Sequence, residues 1–136
     1  MSTKSKGINA ERELIHMFWD KGFAALRVAG SGSSKYPSTD LIVGNKDKKL
    51  AIECKITRED KKYFSKEDIQ QLKEFSALFG ALALVAVKFK GFDWYFLFLN
   101  DLGKKEKSFY VDANIAKNKG LLFEELIEKI WLLVGN

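Results

Sequence analysis

The chain contains one cysteine and one histidine in 136 residues, no apolar run approaching the roughly 20 residues of a membrane span, and no repeat or low-complexity tract. A single cysteine excludes an internal disulfide and points to a reducing compartment. Cys54 lies within an apolar segment with no basic neighbour expected on its face, which makes it a small core filler rather than a nucleophile. His16 has no partner at metal-ligand spacing and reads as a bland surface residue. The first seven residues, MSTKSKG, lack the apolar centre of a secretory signal, so a soluble, cytoplasmic protein is expected. With 46% hydrophobic residues the chain suits a single domain over residues 1–136, with 1–6 expected as a flexible basic N-terminal segment. Twenty-three Lys and Arg against 18 Asp and Glu give a net charge of +5, a balance that favours a polyanionic partner such as nucleic acid through counterion release.

Three ionisable residues interrupt apolar segments in an order a core would not select. Asp40 opens Asp-Leu-Ile-Val-Gly44, and after a short polar break Leu50-Ala-Ile-Glu-Cys-Lys-Ile56 carries Glu53 and Lys55. Strand side chains alternate between faces, so Glu53 and Lys55 point the same way as Ala51, while Leu50, Ile52, Cys54 and Ile56 point the other way. If 45–48 is a tight hairpin with Lys46 and Asp47 at its tip, paired positions sum to about 93, which sets Asp40 opposite Glu53. Two carboxylates and a lysine on one sheet face repel and desolvate each other unless a hard cation lies between the acids. An acid-x-Lys spacing alone is weak. Asp47–Lys49, Glu59–Lys61 and Asp60–Lys62 show it too, but in charge-rich stretches that read as solvated turns. Only Glu53 and Lys55 sit within an apolar strand, and this placement first suggests a metal-dependent phosphodiesterase.

The remaining pattern is mixed α/β. Residues 8–21 predict a helix with Leu14, Ile15, Phe18 and Trp19 toward the core, Glu11 one turn earlier along that face, and Arg12 beside His16. Residues 23–28 predict a strand with Arg27 facing opposite to Leu26 and Val28. The polar stretch 29–39, with Ser31 and Lys35, is placed as a loop beside the acids. Residues 57–66 read as a charged connection. Ser65-Lys-Glu-Asp68 has the form of a capping box and introduces a helix with Ile69, Leu72, Phe75 and Phe79 on one face, stopped by Gly80. Residues 81–87 form a continuous apolar strand with 94–99 as its hairpin partner. A strand near 109–112 is expected to complete the same sheet, and a broadly apolar helix spans 121–134.

Six segments then carry a resemblance: Lys6-Gly-Ile-Asn-Ala-Glu-Arg-Glu-Leu14, Gly22-Phe-Ala-Ala-Leu-Arg27, Ala29-Gly-Ser-Gly32, Asp40-Leu-Ile-Val-Gly44, Ile52-Glu-Cys-Lys55 and Phe75-Ser-Ala-Leu-Phe-Gly80. In consistent order over residues 6–99, they resemble the archaeal Holliday-junction resolvases of the PD-(D/E)xK nuclease superfamily. The resemblance implies a restriction-endonuclease-like central mixed sheet with helices on both faces. It implies Asp40 and Glu53 as metal-binding carboxylates, Lys55 as the catalytic lysine, and Glu11 as a helix-borne acid that also serves the metal. Ser31 matches a flap serine near the scissile phosphate, Arg12 and Arg27 match basic positions used with DNA, and Lys35 lies beside them in the loop. Phe75 and Phe79 match aromatic positions at a dimer surface, though as helix-face residues they suit core packing equally. The family commonly has Pro directly before the first Asp. Here Pro37 is followed by Ser38 and Thr39, which changes the backbone approach to Asp40.

The implied activity is cleavage of four-way DNA junctions by symmetric paired nicks, dependent on Mg²⁺ with Mn²⁺ as a substitute, by a homodimer carrying one site per subunit. The wide C-terminal helix is a further candidate dimer surface. Two alternatives stand beside this reading: another nuclease of the same superfamily, and a DNA-binding protein that does not cleave.

Overall fold

In the computed structural model, which describes residues 3–30 and 35–134, the elements follow as α1 (Thr3–Asp20), β1 (Ala24–Arg27), β2 (Leu41–Gly44), β3 (Lys49–Thr57), β4 (Lys61–Ser65), α2 (Lys66–Phe79), β5 (Leu82–Phe89), β6 (Trp94–Phe98), β7 (Gly103–Lys105), β8 (Ser108–Asp112), α3 (Ala113–Lys119) and α4 (Phe123–Val134). The central sheet has the order β1-β2-β3-β5-β6. Its first three strands are antiparallel, β3 and β5 are parallel, and β6 returns antiparallel. A parallel neighbour demands a crossover, and β4 with α2 supplies it.

The period-two alternation along β3 divides the core as expected. Leu50, Ile52 and Cys54 join Leu41 and Val43 under α1 and α4, which contribute Leu14, Phe18, Leu126 and Ile130. Phe18 anchors that layer through edge-on ring contacts with Phe23 at 6.0 Å and Phe123 at 5.1 Å. On the opposite face Ala51, Val85, Val87 and Leu97 pack against Ile69 and Leu72 of α2, Phe64 and Val111 of a second sheet, and Ala116 of α3. Helices thus cover both faces of a mixed sheet.

The hairpin register is the one that places the acids. Leu41 pairs with Ile52 and Gly44 with Lys49. The Asn45 amide donates to the Lys48 carbonyl at 2.9 Å, and the Asn45 side chain accepts from the amides of Asp47 and Lys48. α2 begins and ends as its sequence signals. The Ser65 hydroxyl accepts from the Asp68 amide at 3.0 Å, and Gly80 closes the helix at φ 77°, where a side chain would be strained.

Several expectations are corrected. α1 starts at Thr3, ahead of residue 8. The charged connection contains β4, which pairs with β8. Residues 108–112 therefore do not complete the central sheet. They lie in a separate three-stranded sheet of order β4-β8-β7. The C-terminal helix is shorter than 121–134 because Leu121 exchanges backbone hydrogen bonds with Phe96. Most of its apolar width is core: Phe123, Leu126, Ile127 and Ile130 are buried, while Leu122, Trp131 and Leu132 stay exposed. Among the described residues no helix is long and apolar enough to cross a membrane.

Candidate active site

Asp40 owes its position to the residue before it. Thr39 is buried and its hydroxyl donates to the Ile52 carbonyl at 3.0 Å, tying the chain to the middle of β3. The Val28 amide donates to the Asp40 carbonyl at 2.8 Å and joins the end of β1 to the approach to β2. A hydroxyl thus anchors the backbone approach to Asp40. The Asp40 side chain then accepts from the Cys54 amide, Oδ2 to N at 2.9 Å. This bond crosses the hairpin and leaves Glu53 beside it on the outward side of the strand.

The three central residues come together. Lys55 Nζ lies 3.4 Å from Glu53 Oε2. Ser38, Thr39, Asp40, Glu53, Lys55, Asp68 and Gln71 line a cleft of about 170 Å³. Burial, and then the negative charge of Asp40, push the Glu53 carboxyl up to about 8, with Lys55 opposing them. Burial works against the Lys55 ammonium, but Glu53 and then Asp40 outweigh it, so its pKa is raised and it stays charged at neutral pH. Burial raises the Cys54 thiol well above its ordinary value, which fits a core filler rather than a nucleophile.

Glu11 reaches this neighbourhood from α1. Its pKa is raised by burial first, with the Arg27 hydrogen bond opposing and Asp40 adding to the rise. Arg27 Nε lies 2.9 Å from Glu11 Oε1. Among the described residues no three His, Cys, Asp or Glu side chains gather as a ligand set. The Glu11 carboxylate is paired with Arg27 and also feels the charges of Asp40 and Lys55, which brings it into the neighbourhood of the cleft. Asp40 and Glu53 remain as two hard oxygen donors on a partly buried face, a donor set suited to a divalent cation completed by water.

The other sequence candidates are more scattered. Arg12 and Lys35 are exposed, Lys35 lying 5.4 Å from the centre of the Tyr36 ring. Ser31 lies outside the described residues. Phe75 and Phe79 stack at 5.3 Å, and Lys49 covers the outer ring at 4.5 Å. Beside them Leu78 is 88% exposed. His16 is exposed, as its isolation suggested. Asp68 and Gln71 were not anticipated. The only local signal was the capping box, which explains the Asp68 amide and says nothing of where its carboxylate points.

Comparison with known proteins places the whole chain. The chain matches the family described as archaeal Holliday junction resolvase (Hjc) over residues 2–132. It is 41% identical over 129 residues to the crossover junction endodeoxyribonuclease Hjc of Archaeoglobus fulgidus, covering 90% of this chain and 95% of that one. It is 39% identical over 112 residues to the Hjc of Methanocaldococcus jannaschii, covering 81% and 78%. The solved structure of the Archaeoglobus fulgidus Hjc superimposes with a TM-score of 0.84 at 40% identity, covering 89% of this chain and 98% of that one. With a hairpin that sets two carboxylates and a lysine in one cleft, and with these relatives along nearly its whole length, this chain belongs to the archaeal Holliday junction resolvase (Hjc) family.

Proposed function

We propose that the protein is an intracellular endonuclease that resolves four-way DNA junctions, cutting two opposed strands as a homodimer in the presence of Mg²⁺ or Mn²⁺. The observation that carries this reading is the cleft in which Asp40 and Glu53 face each other across the hairpin with the Lys55 ammonium beside them. Family membership supports the substrate class.

The Cys54 amide donates to Asp40 Oδ2, which fixes this carboxylate beside Glu53, and the two acids are the residues that would hold a divalent cation. When bound there, the divalent ion supplies Lewis acidity toward the phosphate and lowers the pKa of a water molecule. Lys55, charged and held by Glu53, is positioned to donate to the oxygen on which charge develops. Glu11 serves by orienting Arg27, whose remaining N–H groups suit a phosphate oxygen. Ser31, Lys35 and Arg12 are assigned to contacts with the DNA backbone. Phe75, Leu78 and Phe79 form the face proposed to meet a second copy, because a twofold pair of sites is what two opposed incisions require.

The test is cleavage of an end-labelled immobile four-way junction and a matched linear duplex, in Mg²⁺ or EDTA, by the wild-type chain and Asp40→Asn. Symmetric paired nicks confined to the junction, lost in EDTA and in the variant while binding persists, are expected. Equal cutting of the duplex would replace junction resolution with general nuclease activity. Binding without cutting in either metal would reject the catalytic role of the cleft.

A further inference from the structure

The second sheet has an outer face that the cleft does not use. Phe64 and Val111 turn inward to the core, so the alternate residues Lys61, Tyr63, Tyr110 and Lys105 share the opposite face. Tyr63 is paired with Tyr110, and Tyr110 with Gly103 on the next strand. A Cβ at position 103 would meet the Tyr110 ring at 2.4 Å. Glycine there lets the ring lie down across β7, with its other side turned outward. Tyr63 remains 46% exposed beside it, the ring centres 6.1 Å apart.

Lysines surround both rings. Lys61 Nζ is 4.8 Å from the centre of Tyr110 and 5.7 Å from Tyr63, and Lys105 Nζ is 5.9 Å from Tyr63. By the same alternation Lys62, paired with Val111, and Lys104, paired with Phe109, lie on the other side, so the outer face carries Lys61 and Lys105 with Asp112 as its acid. Asp112 is already engaged in capping α3, accepting from the Ile115 amide at 2.7 Å. The surface therefore selects an anion, and its two aromatic rings select one that carries flat, apolar faces. A duplex backbone alone satisfies the lysines and leaves the rings unused. Bases released from a duplex satisfy both. Stacking of a base on an exposed ring is stronger than the lysine–ring contact it displaces, and the freed ammonium is left beside the incoming phosphate.

We propose that this face of the small sheet is a stacking surface for unpaired nucleotides of a DNA strand, with Tyr63 and Tyr110 taking bases and Lys61 and Lys105 their phosphates. The inference rests on the reading of the protein as a DNA-acting enzyme and adds a contact separate from the carboxylate cleft. β4 runs through Ser65 directly into α2, whose Asp68 and Gln71 line that cleft, so one rigid step relates a strand held here to the site of cleavage.

The experiment measures binding of a fluorescent oligothymidylate, and of a fully paired duplex of equal length, to the full chain in EDTA at fixed salt. The proteins compared are wild type, Tyr63→Leu, the double variant Tyr63→Leu/Tyr110→Leu, and Asp40→Asn, with polyglutamate as competitor. Expected is a loss of about tenfold in single-strand affinity for the double variant, a smaller loss for exposed Tyr63→Leu alone, and little change on duplex. Asp40→Asn should retain the tyrosine-dependent binding. Unchanged single-strand affinity in Tyr63→Leu with a native circular dichroism spectrum would overturn the proposal, as would an equal loss on duplex. Polyglutamate competing as well as the oligonucleotide would overturn it in favour of an acidic protein partner. A wild type that cuts junctions but shows no tyrosine-dependent binding rejects this surface alone. A wild type that binds through the tyrosines but cuts no junction supports the surface and rejects the cleavage reading.

Discussion

Glu53 carries a carboxyl into a largely buried site. Burial and Asp40 hold its carboxyl up at about 8, against an ordinary value of 4.5 in the unfolded chain. The folded state binds this proton more tightly, so the associated stability is complete below the unfolded value and is lost as pH rises from about 4.5 through about 8. In EDTA the midpoint of thermal unfolding should fall across that window through this group. Glu53→Gln should flatten that component, and Mg²⁺ should restore stability most at the alkaline end. The same slope in both proteins would contradict the burial of the acid pair. Asp40, Glu53 and Lys55 were legible in the sequence because strand alternation and hairpin register are strict and local. Asp68 and Gln71 were not, because a polar residue on an amphipathic helix carries no mark of which strand it will face. Thr39 was also missed, since its value lies in a hydroxyl that reaches the Ile52 carbonyl across the hairpin.

At the scale of elements, α2 connects stability to chemistry. Its first two turns supply Asp68 and Gln71 to the cleft, and its start is set by the Ser65 hydroxyl. Ser65→Ala should cost about 1 kcal/mol in urea unfolding. It should also lower cleavage at saturating Mg²⁺ more than the stability loss explains, because the turn that carries Asp68 frays. An unchanged rate would separate the cap from the site. The capping box, the Gly80 stop and the β2–β3 register could all be read ahead of the structure. β4 could not, because Lys61, Lys62 and Tyr63 resemble a solvated charge run when only Phe64 turns fully inward. With β4 unseen, β8 lost its partner and was assigned to the central sheet. β7 and α3, at three and seven residues, are too short to establish a period.

For the whole molecule, the fold class followed from the alternation of strand and helix patterns, while the division into two sheets depended on long-range pairing that no local pattern encodes. The proposed assembly rests on the exposed face around Phe75, Leu78 and Phe79. Leu78→Asp should leave the monomer folded, since that side chain is almost fully exposed. It should halve the mass by sedimentation equilibrium and turn paired incisions into single nicks. A dimer that persists would move the interface elsewhere. The hairpin topology also bears on when the acids meet. Asp40 and Glu53 converge as soon as a four-residue turn closes, whereas the parallel pairing of Leu50 with Leu82 must wait until β4 and α2 are laid between them. The carboxylates therefore approach while still hydrated, where their repulsion is only about 1 kcal/mol, and the full penalty arrives when α2 docks. A cation held by the pair should consequently act on the lifetime of the native state: stopped-flow unfolding should slow in Mg²⁺ relative to EDTA, with the refolding rate nearly unchanged.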